Sequence, residues 1–593
     1  MKKINRNTFI KQSALIGGTL YMNPFQAFSS ESNATTNLDE GLYTRLVKAN
    51  DNEVKELLEK GSLPQHIYIR TAGYNFAKLA AAYCCPESQW FEHESLIAAL
   101  DKTTDQLKAN QTADGTMNAG NLESPPDTAF VMEPLCAGVF ILSQKADEKL
   151  DAVKEKVKQV ILKTGDALTV GGVHTPNHRW VVSQALARIN QLYPNQKYID
   201  RINEWLSEGI YMDEDGHYPE RSAIYSNVED TAFITIGRLL NSSKLFNAPR
   251  KNLAMTWYYM EPNGDLVTTD SRRQDQYMHK NIVGHYLNYR FLAIHDQDGQ
   301  FADMTRLIEN FPGFEEYVVK NSLFHFMENP VLKEKLPKPV ALPLNYERFL
   351  KTSGLARIRR GDTTASIFGG TDWPLIIASG RSVLPNFFSY RRGRAVLDYM
   401  RLSANFFNTG YFRSEGVQKE GNKYILHKKL EVPYYQPLPN EFKNPDGDYP
   451  LTPSLNNRFW SKMAFDKRPM SNVKTLDSSI YIKEDHGKVE VTFNVTGLEN
   501  VPVTVELCFN KDGVLKGVTD ANDGLDNHYL PNGMGTFYNG GDTITFGPGI
   551  KKHESIYHLG GEQYAAHFGT LRTEGNHVYL TGITPFKHTL KFS

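Results

Sequence analysis

The chain reads as a multidomain α and β protein: an N-terminal (α/α)6 toroid, incomplete or complete, followed by a C-terminal antiparallel β-sandwich. Three observations predict this. Four landmarks in the first half fall on one beat: PPDTAF at Asp127, PNHRW at His178, VEDTAF at Asp230 and HKN at Asn281, separated by 51, 52 and 51 residues. A beat of that length carrying two helical patterns indicates stacked helical hairpins. Past a Pro-rich passage the hydrophobic period changes to two, as in strands with one buried face. At 593 residues the chain also exceeds what one hydrophobic core serves.

Residues 1–30 read as an export signal. Lys2, Lys3, Arg6 and Lys11 precede a short apolar stretch, 13–22, and small residues follow near 27–30. The stretch is too short to span a bilayer. Arg6-Asn7-Thr8-Phe9-Ile10-Lys11 resembles the twin-arginine pattern with Asn7 in place of the second arginine. With no cysteine near the cleavage region, the expectation is a soluble periplasmic or secreted protein without a membrane anchor.

Residues 31–328 carry helical patterns. The segment 146–168 is amphipathic and strongly charged on one side, as an outer helix is; 180–189, 232–240 and 282–294 are more apolar, as inner helices are. Residues 329–344, with Pro330, Pro337, Pro339 and Pro343, read as a linker. In 345–593, Val489, Val491, Phe493 and Val495 alternate with polar residues, and 501–509 and 578–581 are also strand-like. Turn signals such as Pro445-Asp446-Gly447 and Asn539-Gly540-Gly541 separate the strands.

Formal net charge is −1, and the basic N-terminal segment makes the remainder mildly acidic. That balance gives no support for nucleic-acid or membrane-surface binding. Aromatics are generous at 11%, which suits a sugar-binding cleft but suits ordinary cores more often. Cys84, Cys85, Cys136 and Cys508 show neither a disulfide framework nor metal-ligand spacing. His553, His558 and His567 fit no strong metal signature, and 520–526 (DANDGLD) does not match a calcium loop. No metal and no cofactor is expected.

Two loops on neighbouring beats concentrate the chemistry. Gly171 to Trp180 contains His174, Asn177, His178 and Arg179 where an inner helix should start, and a helix N-terminus favours anions. Alone, Asn177 reads equally well as a helix cap. In the next repeat, Arg221 and Tyr225 are four residues apart, so a helical turn would place them on one face. Together the loops supply what β-elimination of a uronate needs. The C5 proton is very weakly acidic until the adjacent carboxylate is neutralised; Asn177 with Arg179 or Arg221 can do that. A base must take the proton and an acid must protonate the departing C4 oxygen, roles for His178 and Tyr225. The preceding loop places Asn118 and Asp127 on the same rim, as ligands for sugar hydroxyls or as plain turn residues.

On these motifs the sequence resembles the toroid-plus-β-sheet polysaccharide lyases, the group of alginate lyases and heparinase II/III-like enzymes. The resemblance implies Asn177 as carboxylate neutraliser, His178 as base or its assistant, and Tyr225 as acid and as a second candidate for the base. It also implies a second cleft histidine, His279 or alternatively His174. The stretches Glu261 to Asp265 and Asp270 to Arg272 look like the loop after the catalytic tyrosine repeat, and Ser353 to Arg359 like the entry to the β-domain. The sequence departs at Glu220-Arg221-Ser222, where many relatives carry a different polar residue. From the residues alone, Tyr411-Phe412-Arg413 in the β half reads either as a segment that closes over the cleft, with Arg413 on substrate, or as ordinary strand packing. Within the group the pattern looks most like lyases that cut L-rhamnose-α-1,4-D-glucuronate caps from plant arabinogalactan. The partner expected is thus an acidic, uronate-containing oligo- or polysaccharide. Two other functions remain open: a glycoside hydrolase using an Asp127/Asp230 carboxylate pair, and a glycan-binding protein without turnover.

Overall fold

The computed structural model describes residues 38–59, 69–118, 122–375, 380–453, 460–523, 527–555 and 574–593, apart from the side chain of Tyr277. The expected export signal, His558, His567 and part of the 520–526 acidic stretch lie outside the described residues. The chain divides into a helical first half and a β second half.

The helices relevant to the site are α1 (Glu40–Glu59), α2 (Ile69–Cys84), α3 (Glu94–Asn110), α4 (Pro125–Ser143), α5 (Asp151–Val170), α6 (His178–Leu192), α7 (Gln196–Ser207), α8 (Ala223–Leu239), α9 (Asn247–Tyr259), α10 (Tyr286–Asp296), α11 (Gly299–Ile308) and α12 (Leu323–Glu328). Burial separates two kinds. In α4 nearly every residue from Pro126 to Leu142 is buried, whereas α7 buries only Tyr198 and Ile202. An apolar helix must be enclosed, and a helix with a narrow apolar stripe lies outside. Accordingly α2 packs on α4, α4 on α6, α6 on α8, and α8 on α10, while α12 returns to pack on α2 and α4. The outer helix α3 packs on α2, α7 on α6, α9 on α8 and α11 on α10. By length and composition α4 would also pass as a membrane span, but 78% of its most apolar window is buried by these neighbours.

The repeated Asp-Thr-Ala-Phe does not occupy equivalent places. Asp127 lies in the first turn of α4, where Ser124 caps the helix and Pro125 and Pro126 start it. Asp230 lies two turns into α8, fully buried. The beat in the sequence is therefore not a constant phase along the helices.

The Pro-rich passage is bound to the helical half rather than free. Arg290 is buried and donates to the carbonyls of Leu332 and Glu334, Leu38 bridges Glu334, and the Val340 amide donates to Gly299. Beyond it, one sheet of nine strands includes Asn345–Leu350, Leu355–Arg360, Thr363–Phe368, Phe388–Arg392, Ala395–Ala404, Pro502–Phe509 and Asn576–Ile583. A second, of eight, includes Lys423–Tyr435, Met470–Asp485, Lys488–Gly497 and Phe586–Phe592. In register, Leu507 faces Met400 and Val578, and Ile480 faces Leu426 and Phe493. Alternation sends these side chains into one apolar core shared by both sheets. Among the described strands the pairing is antiparallel except for Asn527–Tyr529, which runs parallel to Asn576–Ile583.

Buried polar contacts join the halves. Glu261 forms an ion pair with Arg357 at 2.8 Å and lies near Arg391; burial opposes its ionisation, but the two arginines hold its carboxyl below the usual range. The Tyr259 hydroxyl donates to Asp270 at 2.7 Å and contacts His217 at 2.8 Å, with Ser353 of the β half at 3.4 Å.

Candidate active site

Three inner helices, α4, α6 and α8, begin on one rim, and the segment 268–281 lies across it. Asn177 precedes α6 with its backbone already helical (φ −65°, ψ −27°), and its side chain makes no capping bond. The amide is instead committed to Glu220. Asn177 Nδ2 donates to Glu220 Oε1 at 2.6 Å, and the Asn177 backbone N–H donates to the same oxygen at 3.1 Å. A carboxylate only accepts, so the amide nitrogen must face it. The other Glu220 oxygen accepts from Arg273 Nη1 at 2.7 Å. Glu220 is buried. Beside it, burial and then the nearby Glu220 and Asp230 carboxylates push the Glu229 carboxyl well above its usual range.

Arg273 arrives there because the segment carrying it is docked on the start of α8. Ser222 caps α8, its Oγ accepting from the Tyr225 amide at 3.2 Å. Asp275 then accepts from Ser222 Oγ and from the Ala223 N–H, both at 2.9 Å, a carboxylate placed where the helix dipole favours it. Arg273 itself is extended (φ −122°, ψ −179°), so neighbouring side chains diverge. Arg272 leaves to pair with Asp372 of the β half at 2.8 Å, while Arg273 turns in. Its guanidinium lies 4.5 Å over the Tyr225 ring, with Nη2 3.4 Å from the tyrosine oxygen. Gln274 Nε2 donates to the same oxygen at 3.0 Å. Tyr225 is thus half-buried with two donors on its hydroxyl oxygen.

His178 opens α6, and its ring meets His174 edge-on at 4.6 Å and Phe130 at 6.5 Å. Burial, helped by His174, Arg273 and Arg70 and opposed by Asp127, pushes its pKa down to about 4, so the imidazole is neutral near pH 7. Its Nδ1 is buried without a hydrogen-bond partner. Asp127 forms an ion pair with Arg70 of α2, whose guanidinium lies 4.2 Å over Phe130.

The structure therefore brings together Asn177, His178, Tyr225, His174 and Asp127, and adds Glu220, Arg273, Gln274 and Arg70. Other expected residues lie elsewhere. Arg221 precedes the α8 cap with φ +47°, so it shares no helical face with Tyr225; its guanidinium donates to the Thr352 carbonyl of the β half at 2.8 Å. Arg179 pairs with Glu208 at 2.7 Å and stacks on Trp180, which holds it along the outer helix side. His279 is exposed in a separate cavity of about 170 Å³ against the nine-stranded sheet, with Asp265 and Asp398. Arg413 is buried in the β half, donating to the Val383 carbonyl at 2.7 Å, and Tyr411 bonds Glu506; this segment does not cover the cleft. Asn118 is exposed at the end of the preceding loop. Asp230 accepts from the buried Tyr218 hydroxyl at 2.8 Å and forms no pair with Asp127. Cys84, Cys85 and Cys136 are free thiols. Among the described residues no three His, Cys, Asp or Glu side chains converge as a metal site.

The missed residues had a weak signal. Glu220 stands beside Arg221, and Arg272-Arg273-Gln274 is a polar run between two apolar patterns. What is invisible in one dimension is that Glu220 lies 43 residues from Asn177 and 53 from Arg273 yet bridges them.

No family model matches the chain, and no curated protein matches it in sequence. Solved structures do. Heparinase III superposes with a TM-score of 0.51 at 11% identity, covering 87% of this chain and 75% of that one. The Streptomyces coelicolor A3 chondroitin AC lyase in complex with chondroitin sulphate gives 0.52 at 12% identity, covering 93% and 79%. Paenibacillus xanthan lyase gives 0.51 at 11% identity, covering 92% and 57%. The chain has the fold of these polysaccharide lyases.

Proposed function

We propose that this chain is a polysaccharide lyase that cleaves a uronate-containing glycan by β-elimination. The observation that carries the reading is the Tyr225 hydroxyl held by Gln274 and Arg273, the same arginine that helps burial to lower the pKa of His178 at the start of the neighbouring inner helix, in a fold whose helices we read as an (α/α) toroid and whose sheets we read as a sandwich. The uronate carboxylate is met by Arg273, whose guanidinium lies over the Tyr225 ring. Asn177 is not the neutraliser: its amide N–H groups face Glu220 and Thr175, so it fixes Glu220 instead. With the carboxylate neutralised, the C5–H bond breaks, its electrons form the C4=C5 double bond, and the C4–O4 bond breaks. In a D-glucuronate the C5 proton and O4 lie on one face, so Tyr225 can take the proton and return it to O4, assisted by His178. The donors on the tyrosine oxygen strengthen as it gains negative charge.

The linkage we propose is L-rhamnose-α-1,4-D-glucuronate of plant arabinogalactan, leaving a 4,5-unsaturated glucuronate. The site of action is extracytoplasmic, following the N-terminal segment. Hydrolysis by Asp127 and Asp230 is disfavoured by the burial of Asp230 away from the rim. Incubation with glucuronate-rich glycans tests the reading: the ultraviolet absorbance of a conjugated unsaturated uronate appears with the wild type and is lost in Tyr225→Phe and His178→Ala proteins that remain folded. Full activity in both variants overturns the assignment.

A further inference from the structure

Glu229 is a buried acid that the elimination chemistry leaves unused. It stands just before the second Asp-Thr-Ala-Phe, where the first copy has Pro126, so packing common to the two copies does not call for it. It lies four residues past Tyr225 in α8, one turn deeper on the same helix face. Its exposure is 0%, and neither carboxyl oxygen has a hydrogen bond of good geometry; the Trp180 indole N–H approaches without meeting it. The groups facing it are Glu220 from the loop before α8, Asp230 of α8, and Arg179 and Trp180 from the first turn of α6. Neither nearby guanidinium pairs with it, since Arg179 is on Glu208 and Arg273 is on Glu220, each at 2.7 Å. A carboxyl out of water, with no cation paired to it and two other carboxyls close by, keeps its proton.

A neutral acid has one hydroxyl to donate. Asn177 offers the matching acceptor. Its backbone carbonyl accepts from the Trp180 N–H at 3.0 Å, and its side chain is bonded to Glu220, so it stands among the groups that face Glu229. It is fully buried, its Nδ2 donates to Glu220 and Thr175, and its Oδ1 has no partner. A donor and an acceptor left over in one buried cluster satisfy each other.

We propose that Glu229 is a positioning residue: its carboxylic acid donates to Asn177 Oδ1, and through the Asn177 amide and Glu220 it holds Arg273 over Tyr225. The inference rests on the lyase reading above. Glu220 requires the nitrogen of that amide, and Glu229 satisfies its oxygen, so the amide is held from both sides. Glu220 is then fixed as the anchor of Arg273. The Glu229 proton stays in place throughout the reaction.

The test uses the full protein, with thermal melting recorded for every variant. Glu229→Gln keeps a donor of nearly the same shape and should keep kcat within about threefold of wild type. Glu229→Leu, of similar volume but without a donor, should lower kcat at least about tenfold while KM changes less than about threefold, because Arg273 acts most as charge develops. In an Asn177→Ala background Glu229→Leu should cause no further loss, since the acceptor is gone. Infrared difference spectra of wild type against Glu229→Gln at neutral pH read the proton with no substrate present. They should show a carboxylic-acid C=O band that Asn177→Ala shifts. A carboxylate band in its place, wild-type kcat in Glu229→Leu, or Glu229→Gln as slow as Glu229→Leu would overturn the proposal and leave the lyase reading intact. If no glycan yields an unsaturated uronate with the wild type, the lyase reading fails, and the infrared band decides the Glu229–Asn177 contact separately. A band shifted by Asn177→Ala supports it, and an unshifted band or a carboxylate refutes it.

Discussion

Glu220→Gln is the most informative single change. The carboxylate uses one oxygen for two Asn177 N–H groups and the other for Arg273. Glutamine has one acceptor oxygen, so its NH2 must face either the Asn177 amide or the guanidinium, donor against donor. Removing one partner of a buried ion pair costs about 3–5 kcal/mol. Here the Arg273 side chain is 17% exposed and keeps some solvent, which reduces the stability loss to about 2 kcal/mol. The catalytic loss should be larger than the stability loss implies, because Arg273 is released from above Tyr225. Loss of one placed charge-stabilising donor costs about 10²–10³ in rate, or about 3–4 kcal/mol. The assay is the initial rate of unsaturated uronate formation over a range of substrate concentrations, with thermal melting in parallel. The drop should fall mainly in kcat, since the interaction matters most when the carboxylate gains charge. Arg272→Gln is the control: the adjacent arginine binds Asp372 of the β half, so kcat should change less than about threefold. If Glu220→Gln turns over like the wild type, or if Arg272→Gln is the more damaging, then Glu220 does not position Arg273 for catalysis.

Tyr225→Phe should reduce kcat at least about a thousandfold while lowering stability by only about 1 kcal/mol, measured by kinetics and denaturant titration. Lowering pH should destabilise the fold through His178: its native pKa of about 4 is below the unfolded 6.5, so the unfolded chain takes up the proton first as pH falls from 6.5 towards 4, and the loss is complete below that window. His178→Gln should make that acid-side decline shallower in pH-dependent unfolding. Arg221→Ala removes one contact to the Thr352 carbonyl and should leave kcat within about threefold of wild type; a hundredfold loss would restore it to the cluster. Glu328→Gln leaves Arg188 and Arg238 under-compensated and should cost about 3–5 kcal/mol in unfolding free energy.

Much of this was legible in one dimension. The switch of hydrophobic period near 345 reflects a physical change, from helices enclosed by helices to strands with one buried face. Asn177, His178 and Tyr225 stand out as candidates in the sequence because polar groups at the start of an apolar helix have few structural reasons to cluster on neighbouring repeats; their catalytic roles are the proposal made above. Arg221 was misplaced because a four-residue spacing was read as a helical turn, whereas the chain passes through positive φ there and the helix starts only after Ser222. The doubled Asp-Thr-Ala-Phe misled for a related reason: local identity says nothing about where each helix begins, and Asp230 ended two turns deep. The assignments of Asn177 and Arg273 depend on Glu220, and that bridge is made by tertiary packing across three separate segments. His279 and Arg413 likewise went where loop docking and sheet burial sent them, not where the beat pointed.

The most direct test of elimination is to run the reaction in water labelled with heavy oxygen and weigh both products by mass spectrometry. Elimination predicts that the product masses sum to that of the substrate, with no label in either and a conjugated unsaturated uronate in one. Incorporation of a labelled oxygen into a product, with the sum increased by one water, would identify hydrolysis and contradict the assignment of Tyr225, His178 and Arg273 to β-elimination.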